Sequence, residues 1–328
     1  MTWISRLTCL ALACGAVAAF AERPVATYSI VARDAATGEL GVAVQSHWFA
    51  VGSLVPWAEA GVGAVATQSF VDPAYGHLGL ALLRAGKSAP EALAALLAAD
   101  RQPEVRQVAI LDARGRVAVH TGSRCIPAAG HLTGSEMAVQ ANLVDNDGVW
   151  PAMKAAYEAN PGDLAERLLA ALEAAELAGG DIRGRQSAAL LVVRAAASGR
   201  PWEDRRFDLR VEDHPEPLVE LRRLTRLARA YERMNRGDEL AAAGAWDEAS
   251  REYAAAAAMA PGIVELPFWH AVTLVSGGKL ELARPLFEAV FTREPRWKEL
   301  VRRLPAAGLL PDDPGLFAAI TGLAPSGR

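Results

Sequence analysis

The order in which strand-like hairpins and helical pairs alternate between Thr27 and Val211 is the strongest constraint on how this chain can fold. Thr27 to Arg33 is β-rich, Asp34 to Gly38 is a turn, and Leu40 to Gln45 is a second strand, so the segment opens on a hairpin. A third strand, Gly61 to Thr67, precedes two runs of helical periodicity, Gly76 to Ala85 and Pro90 to Ala99, broken by Gly86 and Ser88. Strands return at Arg106 to Asp112, Arg116 to Thr121 and Met137 to Asn142. A second helical pair covers Trp150 to Glu158 and Leu164 to Ala178 around Asn160-Pro161-Gly162, and strands follow at Ser187 to Arg194 and Phe207 to Val211. Hairpins rather than βαβ crossovers imply antiparallel sheets. Each helical pair needs an apolar face to cover. Two stacked sheets with one pair outside each meet both demands, so the expectation is an α+β fold in four layers, an αββα sandwich.

The rest of the chain reads as all-α. Positions 34 apart match in kind: Gly244 with Gly278, Trp246 with Leu280, Ala249 with Ala283, Tyr253 with Phe287, and Pro261 with Pro295. In period and residue type this is similar to the tetratricopeptide repeat, where small residues let paired helices approach and prolines end each second helix. Two repeats are fewer than such arrays usually need, so flanking helices at Leu218 to Arg236 and Pro295 to Arg303 are expected to cap them. The expected organisation is a first domain over 27–214, helical repeats over 216–305 and a tail over 306–328.

The first 21 residues read as an export signal: Arg6 supplies positive charge, Leu7 to Ala18 is apolar but too short to span a bilayer, and Ala19-Phe20-Ala21 is a small-x-small cleavage site. A buried N-terminal helix and a lipoprotein signal at Cys14 are the alternatives; Ala11 stands where the latter expects a larger aliphatic residue. Cleavage would remove Cys9 and Cys14, leaving Cys125 with no internal disulfide partner. A small buried apolar cysteine explains it more simply than a catalytic thiol. The expected location is therefore exported, periplasmic or extracellular, with no transmembrane segment in the mature chain.

Net charge is −4 with no dense Lys/Arg block, which argues against nucleic acid as a partner. There is no G-x-S-x-G, S-x-x-K, H-E-x-x-H or P-loop motif. Gly61-x-Gly63-x-x-Ala66 lies inside a strand and reads as close sheet packing rather than a dinucleotide fingerprint. The six histidines are scattered without ligand spacing, so neither a metal nor a cofactor is expected.

Five motifs carry a family resemblance: Thr27 to Asp34, Thr37 to Ser46, Ala60 to Gln68, Asp112-x-x-Gly-Arg-Val117, and Gly179 to Ala188. Over Thr27 to His214 the chain resembles the domain of unknown function 1028 family, which is placed in the N-terminal-nucleophile (Ntn) hydrolase superfamily. That resemblance implies an Ntn-like αββα domain with Thr27 as nucleophile, its own α-amino group as general base and an amide or peptide as substrate. An α-amine with a pKa of about 7.7–8.0 can take the side-chain proton and return it to the leaving amine. Thr67 and Gln68 are then the expected oxyanion segment, with Asn142 as a second amide donor.

Signal cleavage would still leave Glu22 to Ala26 ahead of Thr27, so a further processing step on this short pro-segment is required. Direct signal cleavage after Ala26 would put Pro24 at the unfavourable −3 position. There is no lysine between Thr27 and Lys87, and Arg33 is the available electrostatic substitute. An ordinary β-branched strand residue is the plainer account of Thr27. Ser46 and His47 end the second strand and offer a nucleophile–base pair, or simply a polar strand end. Asp181, Arg183 and Arg185 could bind a substrate carboxylate or fix their own loop. Asp72 and Tyr75 could line the cleft, although helix capping also explains the Asp. Two functions stay open: an exported Ntn-type amidohydrolase, or a catalytically silent Ntn-like protein whose helical repeats dock a partner in the cell envelope.

Overall fold

The computed structural model describes residues 27–322. The expected signal peptide (1–21), the segment 22–26 and residues 323–328 of the tail lie outside the described residues. Two antiparallel sheets form the first part. One contains β1 (Thr27–Arg33), β2 (Leu40–Ser46), β7 (Gly130–Gly134), β8 (Met137–Asn142), β9 (Ser187–Val193) and β10 (Arg205–Val211), in the order β10-β9-β2-β1-β8-β7. The other runs β3 (Pro56–Glu59), β4 (Gly63–Ser69), β5 (Arg106–Asp112) and β6 (Val117–Thr121) in chain order. β3 and β7 are not foreseen in the sequence. Both are edge strands, one opening on proline and the other bounded by glycines, so neither shows the apolar alternation of a central strand.

The strands are apolar on both faces because each face has its own core. On β1, Tyr28, Ile30 and Ala32 pack with α3 (Val149–Ala159) and α4 (Leu164–Leu177), while Val31 faces Ala64, Ala66, Ala109 and Leu111 of the other sheet. The period of two thus places Thr27 and Ser29, with Val31, in the space between the sheets. Helices α1 (Ala74–Arg84) and α2 (Ala89–Ala99) cover the outer face of the four-stranded sheet, through Leu80, Leu83, Leu93 and Leu96 against Val65, Val108 and Ile110. α1 lies so close that a Cβ on Gly76 would sit 2.3 Å from the Trp57 ring.

The helical part begins with α5 (Pro217–Ala242), which serves both halves of the molecule. Leu218 and Leu221 are buried in the core beneath α4, whereas Ala230 and Ala241 pack with α6 (Trp246–Met259). The break expected between 214 and 216 is therefore a change of element but not a division of packing. α7 (Glu265–Ser276) and α8 (Leu280–Arg293) form the next pair. The 34-residue spacing reappears in Gly244 and Gly278, which follow α5 and α7 with φ of +77° and +74°. α9 (Trp297–Arg303) and α10 (Pro314–Thr321) close the stack, and the expected tail enters the core of α7 and α8 through Leu310, ahead of α10, and Leu316, Phe317 and Ile320 on it.

Candidate functional site

A row of polar side chains crosses the six-stranded sheet at the end where β1 begins. Ser187, Ser46, Thr27 and Asn142 are successive cross-strand partners, and all four are fully buried. Thr27 Oγ1 donates to Ser46 Oγ at 3.2 Å. Ser187 Oγ accepts from the Val51 N–H at 3.1 Å and donates to the Trp48 carbonyl.

The facing sheet answers with amides. Gln68 Nε2 donates to the Thr27 carbonyl at 3.1 Å and to Gln107 Oε1 at 2.7 Å, while its Oε1 accepts from Ser29 Oγ at 2.6 Å. Asn142 Nδ2 donates to the same Gln107 oxygen at 2.9 Å. Gln107 Nε2 contacts the Ala141 carbonyl at 2.9 Å, the Gly130 carbonyl at 3.2 Å and Thr121 Oγ1 at 2.9 Å. Gln140 Nε2 reaches the Ala66 carbonyl and Ser29 Oγ, each at 3.2 Å. Backbone carbonyls can only accept, so those of Ala141 and Gly130 fix which end of the Gln107 amide faces them. Its oxygen must then receive the NH2 groups of Gln68 and Asn142, and the polarity of all three amides follows.

Three non-glycine residues near this end stand in left-handed backbone: Ser69 at the end of β4 (φ 70°), Leu143 directly after β8 (φ 52°) and Ala50, four residues past β2 (φ 55°). Each such residue costs on the order of 1–3 kcal/mol, and strain of this kind collects where a site over-determines the chain.

The expected site residues divide clearly. Thr27, Ser46, Gln68 and Asn142 are brought together, but the roles change. Thr67 alternates with Gln68 and points to the opposite face, where its Oγ1 donates to the Asp72 carbonyl at 3.2 Å. Its backbone N–H is already held by the Val55 carbonyl at 3.2 Å, so it does not offer a ready oxyanion donor. The Asn142 NH2 is likewise committed to Gln107, and the group it has to offer is its oxygen.

Arg33 is six residues further along β1, about 20 Å away at the usual strand rise, and pairs with Glu136 at 2.8 Å. It cannot stand in for a lysine at Thr27. His47 donates its backbone N–H to Asp181 Oδ2 at 2.9 Å and turns Nδ1 toward the Gly184 turn, outside the polar row. Asp181 is buried and also holds Arg183 through its Nη2 and backbone N–H, both at 2.9 Å, so this pair secures the loop.

Arg185 lies on the helical side, between Glu176 and Glu216. Glu176 in turn accepts from Tyr28 OH at 2.6 Å, and burial followed by the nearby Glu176 charge holds the Tyr28 hydroxyl well above its ordinary pKa. Asp72 caps α1 at the Ala74 N–H, 2.9 Å away. Tyr75 donates to Asp100 at 2.9 Å beside Arg106, in a cavity of about 440 Å³ outside the four-stranded sheet. Neither residue belongs to the Thr27 row.

Ser29, Gln107, Gln140 and Ser187 were not singled out in the sequence. The legible signal is a glutamine interrupting an apolar strand, as in Arg-Gln-Val-Ala-Ile-Leu-Asp and Met-Ala-Val-Gln-Ala-Asn. Among the described residues no three His, Cys, Asp or Glu side chains gather as a metal ion would require, and no helix is long and apolar enough to cross a membrane.

This arrangement, two packed antiparallel sheets with a polar seam at the head of β1, belongs to a mixed α/β protein of a recognisable family. The model of a family of unknown function, DUF1028, matches residues 27–221, and the chain belongs to that family. A crystal structure of a DUF1028 protein from Silicibacter pomeroyi is similar, with 32% identity and a TM-score of 0.56, covering 62% of this chain and 89% of that one. No curated protein matches.

Proposed function

We propose that this chain is an exported Ntn-type amidohydrolase or peptidase in which Thr27, once freed of the residues before it, is the nucleophile. The observation that carries the reading is the place of Thr27: on a central strand, level with Ser46 and Asn142 where β2 and β8 end, hydroxyl in the inter-sheet space, bonded at 3.2 Å to a second hydroxyl on Ser46. An αββα Ntn sandwich places its nucleophile in the same way. In this mechanism Thr27 Oγ attacks the amide carbon and passes its proton to its own α-amine. The tetrahedral intermediate collapses when that proton is delivered to the leaving nitrogen, and water then hydrolyses the ester. In the full chain the Thr27 nitrogen is an amide to Ala26, so the activity depends on cleavage of that bond.

The test is the intact mass and N-terminal sequence of the protein recovered from its host, beside Thr27→Ala. A mature chain beginning at Thr27, with Thr27→Ala retaining the preceding residues, supports the reading. A wild-type chain beginning at Glu22 excludes catalysis through this amine.

The second reading is a catalytically silent Ntn-like protein whose tetratricopeptide-like helices dock an envelope partner. It is favoured by the depth of the seam: Thr27, Ser29, Gln68, Gln107, Gln140 and Asn142 are all fully buried, as an internal cross-link between two sheets would be. Under that reading Thr27→Ala lowers stability and leaves partner binding intact.

A further inference from the structure

Asn142 Oδ1 is buried and has no hydrogen-bond partner among the described residues. Its direction is set by the carbonyls that orient Gln107, because the NH2 group of Asn142 must face Gln107 Oε1. What Asn142 presents to the rest of the row is therefore an acceptor. Thr27 is its cross-strand partner. Residues opposite each other on one face have Cβ atoms about 4.5–5.5 Å apart, so the Asn142 amide flanks Thr27 on the β8 side. The Thr27 hydroxyl is engaged on the other flank, by Ser46 at 3.2 Å. Gln140 Oε1 is also buried without a partner, but it lies in the row of Ser29, two residues further into the sheet.

We propose that Asn142 is the positioning residue for the freed α-amino group of Thr27, its Oδ1 accepting one N–H so that the nitrogen lone pair turns toward the Thr27 hydroxyl. This rests on the reading of Thr27 as an N-terminal nucleophile. An amine that acts as base must be held by its hydrogens, because its lone pair has to stay open to the proton it receives. A neutral amide does this without trapping the nitrogen as ammonium, which a carboxylate at the same place would do. The row itself, Ser187, Ser46, Thr27 and Asn142, holds no charged side chain, and Asp181 and Arg183 of the neighbouring loop are paired with each other at 2.9 Å.

The experiment uses the protein recovered from its host, grown with 13C-labelled threonine, and follows the Thr27 Cα and Cβ resonances as the amine titrates. Asn142→Asp is expected to raise the midpoint by about one pH unit or more, since an opposite charge at close range favours the ammonium form. Asn142→Ala is expected to lower it, because the acceptor that favours the ammonium is gone. Arg33→Ala, at the far end of β1, is expected to leave it unchanged. A midpoint that is the same in wild type and Asn142→Ala, with both folded by thermal melting, overturns the proposal while leaving Thr27 as nucleophile; this comparison decides even where Asn142→Asp does not fold. A wild-type mass that includes residues before Thr27 overturns both readings at once.

Discussion

Ser29 Oγ donates to Gln68 Oε1 at 2.6 Å across the space between the two sheets, joining the strand that begins at Thr27 to the facing sheet. The same glutamine holds the Thr27 carbonyl and is itself held by Gln107. Gln107 is thus the hub of the seam, because it orients Gln68 and Asn142 together. Replacing it with leucine would leave the Asn142 NH2 without its acceptor and take one bond each from the Gln68 NH2 and from the carbonyls of Gly130 and Ala141. A buried polar atom left unsatisfied costs about 1–3 kcal/mol, and relaxation recovers part of the total. Gln107→Leu should therefore lose about 3–5 kcal/mol in chemical denaturation. A loss below about 1 kcal/mol would show that the seam is not cooperative.

Arg33 tests the assignment of the site to one end of β1. Its ion pair with Glu136 is only partly buried, with side-chain exposures of 22% and 24%. Arg33→Ala is expected to cost about 1 kcal/mol or less. Under the proposed N-terminal-nucleophile reading it should leave processing before Thr27 at the wild-type rate, measured by mass spectrometry of the recovered protein. A chain that accumulates unprocessed in Arg33→Ala would place a requirement for Arg33 at a site some 20 Å from it by strand rise.

Much of the first domain is legible in the sequence because its strands and helices differ in period. β1, β2, β4, β5, β8 and β9 are apolar runs of strand length bounded by turn residues, and the two helical pairs between them carry periodic apolar faces. The edges are not legible: β3 and β7 lack that pattern because both are edge strands, β3 half-buried along its length and β7 exposed at its centre. Thr27, Ser46, Gln68 and Asn142 could be placed at one end by counting strand lengths. Which face Thr67 presents depends on register, and a shift of one residue exchanges the faces, whereas the distance of Arg33 follows from its six-residue separation from Thr27 along β1. The orientation of the Asn142 amide lies further still from the sequence. It is decided by two carbonyls, Ala141 and Gly130, whose direction follows from the pairing of β7 with β8.

His270 gives the helical part a pH dependence. Its ring stacks on Tyr253 at 4.3 Å, its Nε2 has no partner among the described residues, and burial lowers its pKa to about 4. In an unfolded chain histidine titrates near 6.5. Above that value neither state takes up the proton, so the helices carry no penalty. As pH falls from about 6.5 to about 4 the unfolded state is protonated and the folded state is not, so stability declines through that window and levels off below it. His270→Phe keeps a ring against Tyr253 and removes the proton site. The mutant should show a flatter melting temperature between pH 7 and 4 than wild type, and equal slopes would sink the assignment.

The first turns of α5 should prove inseparable from the first domain. Leu218 is 8% exposed and Leu221 is fully buried, both in the core formed by β9, β10 and α4, and Arg222 reaches back to Glu166 at 2.9 Å and Glu173 at 2.5 Å. A chain ended after His214 loses both leucines and uncovers the face of β10 that carries Phe207 and Val211. Burying one leucine is worth roughly 1.5–3 kcal/mol, so the two together are a large part of a domain's usual 5–15 kcal/mol. A chain ended after Arg236 keeps these contacts and the bond from Arg229 to Asp163 at 2.7 Å. The shorter chain is expected to aggregate or melt without a cooperative transition, and the longer one to melt cooperatively. Equal cooperative melting of the two would mean that the core closes without α5, and that the helical part is an appendage rather than a continuation of the first domain.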